Sequence, residues 1–186
     1  MASNRPTFAS DSQEIAAELL ITPSALVELS KADAAQVVQY MQPKRIKEGV
    51  VFIQEGEKAL TSYMMLVIRG DVSVETLVPG DKTGMVVSVI GPGSLIGEMG
   101  VLDGAPRSAT CTAATDLAVA VLTRAALLRL IQERPLTAAR LMLAVSKRLS
   151  DKLRETNQKL RMYAKINTAL QQEINAIMNS RRNSKG

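Results

Sequence analysis

Two periodicities divide the chain. Between Lys44 and Thr123 the apolar residues come in short runs: Val50-Val51-Phe52-Ile53, Tyr63–Ile68, Val72-Ser73-Val74, Met85–Ile90 and Leu117–Leu122. The turn signals Glu55-Gly56-Glu57, Arg69-Gly70-Asp71, Pro79-Gly80-Asp81 and Gly91-Pro92-Gly93 separate them. Runs of this length bounded by Gly, Pro and Asp predict strands joined by tight turns. About eight such strands predict a double-sheet roll. Gly49, Gly56, Gly70 and Gly93 can each supply a positive φ or a tight turn.

On either side of this region the period lengthens to that of a helix. Gln13–Leu20 and Ser24–Tyr40 read as helices, with Ser12 and Ser24 or Ser30 as caps and Leu26, Leu29, Val37 and Val38 as the apolar face; Pro43 breaks the pattern. Residues 1–10 are polar and read as disordered. Arg124–Arg134 is helical, Pro135 interrupts it, and a long helix begins near Leu136.

From Met142 onward that helix steps by three and four. Ser146, Leu153, Leu160, Asn167 and Ile174 fall at heptad position a, and Met142, Leu149, Thr156, Tyr163, Leu170 and Ile177 at d. A repeat held for five heptads predicts a coiled coil, and Asn167 at an a position is the residue that fixes register in a parallel pair. A homodimer through the Met142–Ile177 helix is therefore expected. Packing of the helix on its own domain accounts better for residues 136–150 than for 151–178. The fold class is α+β: a double-stranded β-helix or jelly-roll β-roll with flanking helices and a long C-terminal coiled-coil helix. The expected divisions are an N-terminal helical segment at 1–43, the β-roll at 44–123, a hinge helix and dimerisation helix at 124–180, and a frayed basic tail at 181–186.

Composition narrows the chemistry. The 186 residues are 46% hydrophobic and 22% charged, which suits one core of ordinary size plus an appendage. No window approaches the run of about eighteen apolar residues that spans a membrane. The first residues, Met1-Ala2-Ser3-Asn4-Arg5-Pro6-Thr7, lack the pattern of a secretory signal. One cysteine, Cys111, excludes an internal disulfide and fits a reducing cytoplasm; an inert core thiol is the reading for it. With no histidine and one cysteine, neither a zinc site nor a histidine-based triad can be assembled within the chain, and an enzyme is the least favoured reading. The net charge of +5 is uneven: residues 1–135 hold 12 Lys and Arg against 15 Asp and Glu, and residues 136–186 hold 11 against 3. The C-terminal excess could meet nucleic acid, an acidic protein face or a membrane surface, or form a solvated helix face.

The densest chemistry lies at Ile96-Gly97-Glu98-Met99-Gly100-Val101-Leu102-Asp103-Gly104-Ala105-Pro106-Arg107-Ser108-Ala109-Thr110. Backbone N–H groups freed by Gly97 and by a short helix at Glu98–Leu102 can point at a phosphate. Arg107 adds a forked positive charge and Ser108 a hydroxyl donor. Glu98 would repel a phosphate and so should face a sugar hydroxyl. Each residue also has a structural alternative: Arg107 a surface carboxylate partner, Glu98 a role in the first turn of the helix, Ser108 a bond to backbone.

At these residues the chain resembles the cyclic nucleotide-binding domain family, the sensor fold shared by the bacterial catabolite activator and by cyclic-nucleotide-dependent kinases and channels. Gly97, Glu98, Met99, Leu102, Pro106, Arg107, Ser108, Ala109 and Thr110 match the family's phosphate-binding cassette. Ile96 replaces the usual aromatic and Gly100 the usual alanine, both mild changes, and the likeness covers about residues 25–155. The resemblance implies a ligand-binding set of Gly97, Glu98, Met99, Gly100, Arg107, Ser108 and Ala109, with cAMP as ligand and cGMP not excluded by Ser108. Val86, Val87, Leu95 and Met99 are candidate walls for the base, although strand hydrophobes are core by default. In the catabolite activator a Thr-Ser pair on the dimer helix contacts adenine. Lys152-Leu153 fall there in this chain, so Arg154 or Thr156 caps the base, or selectivity differs. Family members that regulate transcription continue into a winged helix-turn-helix of about 60 to 70 residues. Here the helical pattern runs to the end, so a stand-alone bacterial cAMP sensor signalling through its stalk to a protein partner is expected. The alternatives are a nucleic-acid-binding regulator using the basic C-terminal segment, disfavoured by only three Tyr and two Phe for stacking, and a scaffold dimer that has lost its ligand.

Overall fold

A computed structural model of the chain describes residues 10–59, 61–76 and 85–183. The expected disorder of residues 1–9 and the turn at Pro79-Gly80-Asp81 lie outside the described residues, while Ser10 already opens the first helix.

Eight strands form the roll: β1 Gln42–Ile46, β2 Val51–Ile53, β3 Tyr63–Arg69, β4 Val72–Thr76, β5 Met85–Ile90, β6 Leu95–Ile96, β7 Thr110–Ala113 and β8 Leu117–Thr123. They make two four-stranded antiparallel sheets, ordered β1-β8-β3-β6 and β2-β7-β4-β5. The core between them holds Ile46, Ile53, Met65, Val67, Val72, Ile96, Cys111, Ala113, Leu117 and Val119. Met64, Leu66, Ala120 and Leu122 alternate with these on β3 and β8 and are also fully buried, on the other face of the first sheet. Burial on both faces is why β3 reads as an unbroken apolar run and not as an alternation. Each such Met, Leu or Val contributes about 1.5–3 kcal/mol relative to exposure.

Pro43 does not end the regular structure: it sits inside β1, opposite Ala120. An edge strand tolerates a residue with no N–H to donate, and β1 is the edge of its sheet.

The helices are α1 Ser10–Leu20, α2 Lys31–Val38, α3 Glu98–Asp103, α4 Arg124–Glu133 and α5 Pro135–Asn183. The sequence predicts one helix over Ser24–Tyr40, but only its second half is helical. Ser30, not Ser24, is the cap: its hydroxyl accepts from the Asp33 N–H at 3.1 Å and donates back to the Asp33 carboxylate. This reciprocal cap fixes the start at Lys31. Upstream the chain runs in turns, with Ala25 N–H on Thr22 O at 2.9 Å and Leu29 N–H on Leu26 O at 2.9 Å, and still buries Leu26 and Leu29.

From α2, polar anchors reach both sides of the α4–α5 junction. Tyr40, just past its end, donates to Glu133 Oε2 at 2.7 Å. Asp33, 4% exposed, accepts from the Thr137 hydroxyl at 3.1 Å and from Arg140 at 3.1 and 3.2 Å. Ala138, Leu141, Ala144 and Val145 bury the first turns of α5 in this same unit. Beyond Val145 the helix forms a second unit. Every residue from Asp151 to Asn175 is exposed, including Leu153, Leu160, Tyr163, Leu170 and Ile174. The helix continues to Asn183, past the fraying predicted at Arg181. Among the described residues no helix is long and apolar enough to cross a membrane.

Candidate functional site

Short α3 is set by glycines at each end. Gly97 caps it in the left-handed region (φ 78°, ψ 16°), and Gly104 leaves it at φ 69° with its N–H on Gly100 O at 3.0 Å. Only glycine adopts these angles without strain. The helix runs one residue further than the sequence predicts, to Asp103.

Arg107 turns inward, not to solvent: it is 6% exposed. Nη1 donates to Gly97 O at 3.2 Å and Nη2 to Tyr63 O at 3.1 Å, and the guanidinium carbon lies 4.4 Å from the Tyr63 ring centroid. The Arg107 main chain is fixed as well. Its carbonyl accepts from Gly56 N–H at 2.8 Å, and its N–H donates to Glu57 O at 3.0 Å. A guanidinium seated on two carbonyls and a ring face keeps its charge and its forked geometry while losing rotational freedom.

Two glycines make room for it. A Cβ on Gly97 would stand 2.6 Å from Arg107 Nη1, and one on Gly100 would stand 2.7 Å from Thr61 O and 3.0 Å from Arg107 Nη1. The exchange of the usual alanine for Gly100, mild by sequence, is therefore required by sterics in this chain. Glu98 opens α3 and is buried at 3% exposure. A carboxylate and a guanidinium thus lie in the interior at either end of one loop.

The other predicted residues are placed less uniformly. Met99 and Ser108 are exposed and Ala109 is half-buried. Leu95 is buried but pairs with Leu66; one residue before core-facing Ile96, it points to the opposite sheet face, away from the roll interior. Val87 is 57% exposed on β5, and the side chain of Val86 lies outside the described residues. Lys152, Leu153, Arg154 and Thr156 are exposed on α5, where Arg154 pairs with Asp151 at 2.8 Å and Thr156 donates to Lys152 O at 2.8 Å. Sequence reasoning missed Tyr63 and Thr61. The signal for Tyr63 was an aromatic opening a strand in a chain with so few of them. Among the described residues, no group of three or more His, Cys, Asp and Glu could hold a metal ion.

Residues 43–134 match the model of the cyclic nucleotide-binding domain family, so the roll, its cassette and α4 belong to that family. The chain is 27% identical over 140 residues to the CRP-like cAMP-activated global transcriptional regulator of Mycobacterium tuberculosis; the match covers 75% of this chain and 56% of the relative. The chain thus spans little more than half the length of that relative. A crystal structure of a cyclic nucleotide-binding domain from Methylobacillus flagellatus superposes with a TM-score of 0.69 at 27% identity, covering 80% of this chain and 82% of that one. The regulatory domain of Toxoplasma gondii PKA, co-crystallised with cAMP, gives a TM-score of 0.58 at 27% identity, covering 66% of this chain and 46% of that one.

Proposed function

We propose that the domain is a sensor whose ligand is cAMP, and that it signals through a homodimeric helical stalk, Met142–Ile177, to a partner protein. The observation that carries this reading is the inward seating of Arg107 against Gly97 and Tyr63, with Glu98 buried at the other end of the same loop. In this reading Arg107, Ser108 and the N–H groups of Gly97–Gly100 take the phosphate. Glu98 takes the ribose 2′-hydroxyl, and Met99 and Ala109 border the nucleotide. Val86, Lys152, Leu153, Arg154 and Thr156 are the candidates for the base.

Two of the similar proteins carry cAMP in their descriptions, which supports the choice of base. Cyclic GMP shares the phosphate and ribose and is the ligand to compare. Binding draws α3 toward the roll and shifts the junction at Glu133-Arg134-Pro135, a two-state change driven by differential affinity. The exposed a and d residues of α5 supply the apolar seam of the stalk. The test is thermal unfolding with cAMP, cGMP and 5′-AMP. A ligand at a hundred times its dissociation constant stabilises by about 2.7 kcal/mol. Stabilisation by cAMP and not by 5′-AMP is expected; no response to either cyclic nucleotide overturns the reading.

A further inference from the structure

Away from the cassette, three cross-strand neighbours form a row on the first sheet. Arg45 of β1 stands opposite Ala118 of β8, and Ala118 stands opposite Arg69 of β3. Directly paired residues project to the same face. Ala118 lies between the core residues Leu117 and Val119 and so faces away from the roll interior. Two strand spacings put the arginine backbones about 10 Å apart, with only a methyl group on the floor between them. The row borders a concavity of about 530 Å³, with Lys47, Gly70 and Asp116 on its rim.

The charges there do not cancel. Lys47 Nζ donates to Asp116 Oδ2 at 2.8 Å, and the Glu48 N–H to Asp116 Oδ1 at 3.0 Å, so that lysine and aspartate neutralise one another. Arg45 and Arg69 are exposed, and neither side chain has a hydrogen bond or ion pair among the described residues. They stand out from a domain that is otherwise acidic, with 12 Lys and Arg against 15 Asp and Glu over residues 1–135. The backbone beneath is fixed. Gly70, at φ +88°, brings the β3–β4 turn so close to the β7–β8 turn that a Cβ would lie 2.5 Å from Asp116 O. Charge on an edge strand discourages strand pairing, which accounts for Arg45 on β1. It does not account for Arg69, two strands further in.

We propose that Arg45 and Arg69 form a docking site for an acidic segment of a partner protein. Each guanidinium takes one carboxylate, and the segment's backbone crosses Ala118. Guanidinium groups suit carboxylates because their forked donors match both oxygens. Two acidic residues three positions apart on a segment in the polyproline II conformation, which has three residues per turn, lie on one face about 9 Å apart, close to the spacing of the row. A long polyanion would run off the two arginines onto an acidic surface, which favours a short acidic peptide over nucleic acid. This inference supplies chemistry for the protein partner in the sensor reading, and it does not depend on which nucleotide binds.

The probe is a fluorescein-labelled proline-rich peptide in the polyproline II conformation with two aspartates three positions apart, titrated with the full chain at low salt and followed by anisotropy. The same peptide with both aspartates changed to asparagine, and a short DNA duplex, serve as comparisons. The acidic peptide is expected to bind, the asparagine peptide to bind at least about tenfold more weakly, and binding to fade near 0.5 M salt. Arg45→Gln with Arg69→Gln should weaken the acidic peptide about tenfold, and Arg45→Glu with Arg69→Glu should abolish its binding; both pairs should melt with the parent. Arg107→Ala should leave the peptide unaffected. Unchanged binding in the double variants, equal affinity for both peptides, or tighter binding of DNA through the same arginines overturns the proposal. Thermal shift with cAMP on the double variants keeps the two readings apart, since loss of peptide binding with an intact nucleotide response sinks only this one.

Discussion

The guanidinium of Arg107 rests over the ring of Tyr63, 4.4 Å from its centroid, and donates to the carbonyl of that same residue at 3.1 Å. One residue therefore grips the arginine by its backbone and by its side chain. The contact holds a full charge in the interior in one orientation; in the proposed reading, a side chain already held this way loses less freedom when a phosphate binds.

Arg107→Ala should weaken cAMP about tenfold to a hundredfold in calorimetry, because a charge-assisted hydrogen bond contributes about 1.5–3 kcal/mol. Arg107→Lys should recover little of this, since an ammonium cannot reach two carbonyls and a phosphate with one geometry. Parent-like affinity in Arg107→Ala would remove the phosphate role.

Gly100→Ala, a change toward the usual family residue, should destabilise this chain. Its methyl would meet Thr61 O at 2.7 Å, a clash with backbone. The penalty is about 1–3 kcal/mol by analogy with overpacked cores, or several degrees in melting temperature. Gly97→Ala should be worse, because a left-handed φ of 78° adds strain to a contact with Arg107 Nη1. Equal melting points for parent and Gly100→Ala would show that Thr61 yields freely.

Much of this architecture was legible beforehand. The change of period at Lys44 and again after Thr123, with glycine-bounded apolar runs between, announced the roll and its flanking helices. The cassette spacing pointed to the loop at whose two ends Glu98 and Arg107 are buried. What stayed hidden depended on contacts far apart in sequence. Pro43 looks like a terminator until β1 proves to be an edge strand. Ser24 and Ser30 are equivalent caps until Asp33 answers only Ser30. Leu95 and Ile96 are both apolar, and only the β3–β6 register decides which of them faces the roll interior. Tyr63 lies 44 residues from Arg107, and no local pattern links them.

Asp33 should make stability acid-sensitive. The Ser30 hydroxyl holds its carboxyl below the usual range; Thr137 and Arg140 add to this, and burial opposes them. A pKa lower in the folded state than in the unfolded chain stabilises fully above the unfolded value, near 4. The benefit is lost as pH falls through the folded value. Asp33→Asn should therefore melt below the parent at neutral pH, by the equivalent of about 1–3 kcal/mol. The gap should narrow below about pH 4. A gap that stays constant into acid would assign the effect to shape and not to charge.

Leu160→Glu should split the proposed pair. It would place two like charges in the apolar seam, and sedimentation at micromolar concentration should show a monomer where the parent shows a dimer. Asn167→Leu should act in the opposite sense, raising stability while admitting other registers or oligomers. A parent that sediments as a monomer refutes the seam.

The chain's single cysteine offers a clock. Cys111 lies in the roll core at 4% exposure, so a thiol reagent can reach it only when the sheets part. Where reclosing is faster than reaction, its modification rate reports the population of the opened form. A nucleotide held only by the closed roll must slow that rate in proportion to its occupancy. On the proposed reading, the native protein carries its own gauge of ligation, without a dye or a tag.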